Sequence, residues 1–382
     1  MDVVFILDKA AGERFINTTS GDLINAAANR NLRRISILLD ESANVNYRNS
    51  KNITALEAAC TAGHSDVVEL LLQHGADPNG DPQFYSPLQL ATQYCHSKPV
   101  EVLIAFRADV DRRYAPLNQT ALHMNSDQCL RTDIHAEDIK IKIADLLIKA
   151  GADIKAVDIR EWSVEYNATK NGYARLLRFL MNHGAYFAEY EGDWTILHEG
   201  TYHGQLAVVK MLIEEKGLDI NGQVFGETDP TYRMYSWTPL HIAVDRKYTD
   251  IVKYLVRSKA LLDIGVESIE RFGDTPLHIA ARAGDEEIVE LLLSGGATPD
   301  LSGSEYGYTP LHFAAESNHV NIVNMLLEHS AHIDARNVRN WTALHAAAYN
   351  SSLGSVQILT QHGADISALT EEGDSALIVA TR

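Results

Sequence analysis

The 382-residue sequence has few cysteines, and those present form no recognisable disulfide or metal pattern. Cys60, Cys95 and Cys129 are odd in number and include no C-x-x-C pair. Disulfide-rich domains and zinc modules need cysteines that pair at short, regular spacing. The pattern therefore indicates a reducing compartment and predicts no metal site.

Long apolar runs are also missing from the chain. No stretch approaches the ~20 consecutive apolar residues that a membrane-spanning helix needs. The first residues, MDVVFILDKAAGERF, have an early acidic residue and an apolar run too short for a secretory signal. We therefore expect no membrane insertion and a cytoplasmic or nuclear location.

Basic residues are in the minority, since 33 Lys and Arg face 51 Asp and Glu, a formal net charge of −18. A surface this negative repels nucleic-acid phosphates and anionic lipid head groups. The composition therefore argues against nucleic acid as a partner and favours a protein or peptide with a basic surface.

Sequence motifs for catalysis are absent as well. The chain has no phosphate-binding loop, no nucleophile elbow and no metal-ligand spacing. The enzyme classes that depend on those motifs are disfavoured, and the sequence predicts no cofactor.

What the sequence does have is a repeated unit. Three clear copies are DTPLHIAARAGDEEIVELLLSGGATPD from Asp274, YTPLHFAAESNHVNIVNMLLEHSAHID from Tyr308 and WTALHAAAYNSSLGSVQILTQHGADIS from Trp341. The Thr or Ser that opens each copy recurs at Thr54, Ser86, Thr120, Ser163, Thr195, Thr238, Thr275, Thr309, Thr342 and Ser375. Such a residue caps a helix start, and the apolar spacing that follows, ended by Gly, indicates a second helix.

This unit resembles the ankyrin repeat, whose period is about 33 residues, and the resemblance covers nearly the whole chain. It implies an all-α repeat solenoid in which each unit is a β-turn finger followed by a helix-turn-helix. The resemblance implies about ten to eleven stacked units and a concave groove. Stacking is required because a single unit cannot bury both of its faces.

The expected domain organisation starts with residues 1–20 as a capping helix or an arm. Residues 21–382 are then one continuous array, with an N-terminal capping repeat at 21–50. The last repeat, 373–382, stops within its first helix, which would leave a face open for a homodimer.

Three insertions interrupt the expected array, the shortest of them near GVESIERF. The first, at 129–139, lengthens the loop between the two helices of one repeat. The second, at 222–236, lies in a finger and is more apolar than a solvated loop requires, so we expect it to fold over part of the concave face.

A histidine of the TPLH motif recurs once per repeat, at His123, His198, His241, His278, His312 and His345. Neighbouring repeats stack roughly 8–10 Å apart, too far to share a metal through bonds of ~2.1 Å. The resemblance implies instead that each histidine hydrogen-bonds the turn of an adjoining repeat. Glu57 and Gln89 replace it in two repeats, where they fit a capping box with Thr54 and Ser86.

Glu199, in the stretch WTILHEGTYHG, occupies a position that is normally apolar in this family. There the residue before the N-cap usually packs on it as a hydrophobic staple. Trp194 meets Glu199 and Trp162 meets Asn167, so we expect both tryptophans to be exposed. With Trp237 they would form a ladder with roughly 10 Å between rungs.

The resemblance places the candidate partner-binding residues on or beside the first helices. They are Trp162, Trp194 and Trp237 as apolar anchors, and Tyr202, His203, Asp245, Arg246 and Arg282 as polar contacts. Trp, Tyr and Arg dominate protein-binding hot spots. The first hypothesis is therefore a non-catalytic scaffold or adaptor that binds a protein or peptide in the concave groove.

A second hypothesis stays open beside the first. The scaffold would be adapted to bind a small molecule, or to act as an enzyme, in a pocket around Trp194, Glu199 and His203. Glu199 and His203 lie four residues apart on one helix face, so they would be the acid/base pair.

Overall fold

The computed structural model describes residues 19–114, 117–127, 136–186, 194–224, 236–266, 273–304 and 306–381. In these ranges the chain consists of helices joined by turns, with isolated β-bridges and no regular strand. The predicted all-α repeat class is confirmed. The chain divides into two compact units, Met1–Phe187 and Ala188–Arg382.

The first unit contains ten described helices. They are α1 (19–28), α2 (Leu32–Asp40), α3 (Ala55–Ala62), α4 (Ser65–Gln73), α5 (Pro87–Gln93), α6 (Ser97–Ala105), α7 (Ala121–Ser126), α8 (Ala136–Lys149), α9 (Val164–Lys170) and α10 (Ala174–Asn182). From α3 onward the first helices of each pair pack in one row, α3 to α5 to α7 to α9. The second helices pack in another, α4 to α6 to α8 to α10.

The second unit repeats this arrangement in its described ranges. Its helices are α11 (Ile196–Tyr202), α12 (Leu206–Glu214), α13 (Pro239–Asp245), α14 (Thr249–Arg257), α15 (Pro276–Ala283), α16 (Glu286–Ser294), α17 (Pro310–Glu316), α18 (Val320–Glu328), α19 (Ala343–Tyr349), α20 (Leu353–Gln361) and α21 (Ala376–Val379). We call the odd-numbered helices α11 to α21 the first-helix row, because each packs on the next. The prediction of one array through both units stays a prediction.

The N-caps of the first helices form as the sequence predicts. Thr54 N–H donates to Glu57 Oε2 at 2.9 Å and Glu57 N–H donates back to Thr54 Oγ1 at 3.2 Å. Ser86 and Gln89 form the same reciprocal pair. Both replacements of the motif histidine are therefore capping boxes.

The motif histidines do link neighbouring repeats, as expected. In His241, Nδ1 accepts from the N-cap Thr238 N–H at 3.2 Å, while Nε2 lies 2.9 Å from Ile264 O in the following finger. His198 reaches Gly222 O and His312 reaches Trp341 O in the same way. Burial lowers the pKa of these three rings to about 4, so they are neutral at neutral pH.

Backbone hydrogen bonds close the base of the finger that carries the second insertion. Val224 N–H donates to Trp237 O at 3.2 Å, and Ser236 N–H donates to Val224 O at 2.7 Å. The predicted finger insertion at 222–236 therefore runs between two paired residues. Residues 225–235, which carry the predicted cover of the concave face, lie outside the described residues.

The loop insertion predicted at 129–139 is partly helical. Residues 128–135 lie outside the described residues, but Ala136 already belongs to α8, which continues for 14 residues to Lys149. The last four residues of the predicted loop are thus the first turn of a helix. Residues 1–18 of the predicted N-terminal arm also lie outside the described part.

Two further sequence expectations concern cysteines and membrane spans. Cys60 is a free, buried thiol, but Cys95 is disulfide-bonded, which the cysteine spacing did not indicate. Among the described helices, each is too short or too polar to cross a bilayer.

Candidate functional site

The candidate contacts of the second unit lie at equivalent places on three neighbouring helices. Helices α11, α13 and α15 each begin at a capping Thr and pack side by side. Their C-terminal ends carry Tyr202 with His203, Asp245 with Arg246, and Arg282. The regular stacking therefore brings the polar candidates onto one surface, the first-helix row.

Glu199 is the buried centre of one cluster on this row. Its side chain is only 4% exposed. Trp194 Nε1 donates to Glu199 Oε2 at 2.9 Å, and His203 Nε2 lies 2.8 Å from Oε1. The second contact has the distance of an ion pair without the angle of a hydrogen bond. Oε2 is thus hydrogen-bonded within the protein, and Oε1 is buried against the His203 ring.

Trp194 and Trp237 are buried, at 7% and 3% exposure. The expectation that Trp194 would be exposed is therefore wrong. The reason is chemical: an indole has an N–H donor, so a carboxylate at the staple position can hold the ring by a hydrogen bond. The two tryptophans therefore pack beneath the surface, and their rings are not accessible to a partner.

Tyr202 connects this buried cluster to the surface. Its ring meets Trp194 edge-to-face at 6.0 Å, and the Arg246 guanidinium lies over it at 3.7 Å from the centroid. Tyr202 is half-buried and Arg246 is exposed. A guanidinium that stacks on a ring keeps its N–H edges directed outward, which suits recognition of a partner.

Arg282 makes a similar arrangement one repeat further on. Its guanidinium lies 3.8 Å from the centroid of Phe313, and its Nη1 lies 2.8 Å from Asp274 Oδ2. The Asp274 side chain is fully buried, whereas that of Arg282 is 31% exposed. Arg282 is therefore held in place by an aromatic ring and a buried carboxylate.

Trp162 belongs to the first unit and has a different environment. Its half-buried ring stacks on Tyr166 at 4.5 Å. Arg160 lies 3.6 Å and Lys170 4.4 Å from its centroid. The ring is already a cation-binding surface within its own unit.

Two buried charged residues were missed by the sequence reasoning. Glu165, 1% exposed, occupies the Leu position of the TPLH pattern, and burial raises its pKa. Lys140, also 1% exposed, donates from Nζ to Asn125 O at 2.6 Å and to Asp127 O at 2.7 Å. A signal existed for Lys140, since it shares the helical spacing of the buried Ile143 and Leu147.

Removing the Glu199 carboxylate should destabilise the second unit. Glu199→Ala leaves the buried Trp194 N–H without its acceptor, which costs about 1–3 kcal/mol. Glu199→Gln keeps an acceptor oxygen and should cost less. Urea denaturation of the full chain measures the stability of both variants and of the unmodified protein. If Glu199→Ala were as stable as the unmodified protein, the prediction would be contradicted.

Family models match most of the chain. A model described as "Ankyrin repeats (3 copies)" matches residues 23–114, 134–224 and 258–337. A second, described as "Ankyrin repeat", matches residues 235–265 and 339–371. In the second unit the matched ranges include helices α11 to α20.

Several curated proteins are similar over part of the sequence. The chain is 27% identical over 235 residues to the nuclear factor NF-kappa-B p105 subunit of Gallus gallus, which covers 60% of this chain and 22% of that protein. It is 28% identical over 207 residues to the E3 ubiquitin-protein ligase XBAT33 of Arabidopsis thaliana, which covers 53% and 37%. With the human ankyrin repeat and SOCS box protein 3 it shares 26% identity over 192 residues, or 42% and 36%. The chain therefore spans well under half the length of each of these relatives.

Proposed function

Because the chain belongs to the ankyrin repeat family, we propose that it is a non-catalytic interaction scaffold that binds a protein or peptide. The binding surface that we propose is the first-helix row of the second unit. The observation that carries the proposal is the placement of Arg246 over Tyr202, beside the anchored Arg282. Tyr and Arg that are held in one geometry lose little entropy on binding, which is typical of hot spots.

Each candidate residue has a distinct part in the proposed surface. Tyr202, His203, Asp245, Arg246 and Arg282 make the polar contacts. Trp194 and Trp237 are buried, so they pack beneath the proposed surface and do not contact the partner. Trp162 would contribute on the first unit, where its ring already binds cations.

The net charge of −18 supports a basic partner, since complementary charge steers association and fixes orientation. The alternative of acid/base chemistry has less support. A general base needs an oxygen that can reach a substrate proton. The Glu199 side chain is only 4% exposed, its Oε2 accepts from Trp194 Nε1, and its Oε1 is buried against His203.

The proposal is tested by selecting peptides from a random display library on the full chain. Selected peptides are then titrated against Arg246→Ala and Tyr202→Ala. We expect each variant to weaken binding about tenfold or more, the ~1.4 kcal/mol or larger effect of a hot-spot residue.

Arg257→Ala is the matched control, because Arg257 is also exposed but lies on the second helix α14. Its affinity should stay within about twofold of the unmodified protein. Equal losses in Arg257→Ala and Arg246→Ala, or no enriched peptides at all, would overturn the proposed surface.

A further inference from the structure

A cluster of aromatic residues lies at helix α19 of the first-helix row and in the fingers beside it. We call Tyr306, Tyr308, Trp341 and Tyr349 the aromatic cluster. Tyr349 is the last residue of α19, and Tyr306 and Tyr308 lie in the finger before α17. The cluster is therefore continuous with the surface proposed above, because α15, α17 and α19 pack in sequence.

Several contacts join the members of the aromatic cluster. The Trp341 ring meets Tyr349 edge-to-face at 5.5 Å. The two fingers that carry Tyr306 and Trp341 are joined by a backbone bond from Val338 N–H to Tyr306 O at 3.0 Å. Tyr308 is close enough to Tyr306 and Tyr349 for both to raise its pKa.

Two of the four rings, Tyr306 and Tyr349, are open to solvent, whereas Tyr308 and Trp341 are half-buried. Tyr306 is 45% exposed, Val338 66% and Tyr349 59%. Within the described part of the second unit, Tyr306 and Tyr349 are the only aromatic residues among the exposed large apolar side chains. Exposed apolar side chains that lie together mark interaction surfaces more often than scattered ones do.

The charges around the cluster favour the binding of a cation. The Glu316 carboxylate lies beside the cluster, because its Oε1 accepts a hydrogen bond at 3.3 Å from Asn350, the residue after Tyr349. Burial and this carboxylate raise the pKa of Tyr308 to about 12. Tyrosine and tryptophan faces also attract cations through their quadrupoles. The structure contains one example, because the Arg339 guanidinium lies 5.0 Å from the centroid of Tyr306.

From this juxtaposition we infer that the aromatic cluster, together with Glu316, is the subsite for a lysine or arginine side chain of the bound partner. The inference rests on the proposed function and names the chemistry of one contact within it. The cationic head would lie among the rings, and Glu316 would pair with it. Arg339 competes with the partner for the same rings.

Because Arg339 competes with the partner, the inference predicts two variants that weaken peptide binding and one that strengthens it. Tyr349→Ala and Glu316→Gln should each weaken the affinity of display-selected peptides, by about tenfold for the ring and about threefold for the carboxylate. Arg339→Gln removes the competing cation and should strengthen binding by about threefold. Tyr186→Ala is the matched control, since Tyr186 is an exposed tyrosine of the first unit.

Peptides selected on the full chain should be enriched in Lys or Arg, and replacing that residue by Gln should weaken binding as much as Tyr349→Ala does. If selected peptides depend on Arg246 but are not basic, or bind Tyr349→Ala unchanged, this inference falls and the proposed function stands. If no selected peptide depends on any residue of the first-helix row, both fall. Thermal unfolding of each variant checks that the substitution leaves the fold intact.

Discussion

Lowering the pH from 6.5 to 4 should strongly destabilise the second unit. Four buried histidines of the TPLH motif have pKa values that burial lowers to about 4, namely His198, His241, His278 and His312. In each, Nδ1 accepts a hydrogen bond from the N-cap threonine, so a proton there would face another N–H. Protonation would break the helix cap, because Nδ1 could no longer accept from the threonine N–H, while the Nε2 contact with the next finger would remain.

The direction of the effect follows from proton binding. An unfolded histidine has a pKa of about 6.5, so between pH 6.5 and 4 the unfolded chain binds more protons than the folded one. Stability therefore falls as the pH falls through this window and loses no more below pH 4 from these groups. Each histidine contributes on the order of 3 kcal/mol across the whole window.

A residue of the first unit suggests how to test whether histidine protonation causes the loss of stability. Gln89 occupies the histidine position there, accepts from Ser86 N–H at 2.9 Å and donates to Gln119 O at 2.8 Å. His241→Gln should therefore keep both bonds and reduce the loss of stability between pH 7 and 4.5. His332→Gln, an exposed histidine, is the control and should leave the pH dependence unchanged.

Urea denaturation of the full chain, followed by circular dichroism, measures this pH dependence. A midpoint that is equal at pH 7 and pH 4.5 would contradict the account of the motif histidines. So would a pH dependence in His241→Gln as steep as in the unmodified protein.

Replacing Lys140 by methionine should cost the first unit about 3 kcal/mol or more, because hydrogen bonds to charged groups contribute ~1.5–3 kcal/mol each. Lys140 Nζ binds two carbonyls at the end of α7 and lies 4.7 Å from the centroid of Tyr173. These carbonyls belong to a helix of six residues that ends in an extended Asp127. Methionine has a similar volume but no donor, so both carbonyls lose their partner.

The matched control for this substitution is Lys142→Met, two residues further along the same helix and exposed. It should change the urea midpoint very little. Similar midpoints for the two variants would show that the buried bonds of Lys140 do not stabilise the repeat. The pKa of Lys140 is lowered to about 8 by burial, so stability from this group should rise as the pH rises from 8 to 10.5.

The parts of the fold that were predictable from the sequence depend on local chemistry. A capping Thr or Ser and the helical spacing of apolar residues act within one or two turns, so each helix pair could be located without the structure. Glu57 and Gln89 were correctly interpreted as capping residues for the same reason. Because the unit repeats along the chain, the stacking of neighbouring units was also predictable.

The errors concern interactions between side chains that the repeat pattern does not specify. Trp194 was expected to be exposed because Glu199 is not apolar, yet the indole N–H satisfies the carboxylate and both are buried. Lys140 was not singled out, because it directly follows the insertion at 129–139, where the repeat period is interrupted. The stacking of Arg246 on Tyr202 joins adjacent repeats, and no local spacing indicates it.

The central claim, that the first-helix row of the second unit binds the partner, is tested most directly by hydrogen exchange with and without a selected peptide. The account predicts slower exchange on peptide binding in the fingers and in α11, α13 and α15. Helices α12, α14 and α16 should exchange at unchanged rates. Protection confined to those second helices, or to the first unit, would contradict the account.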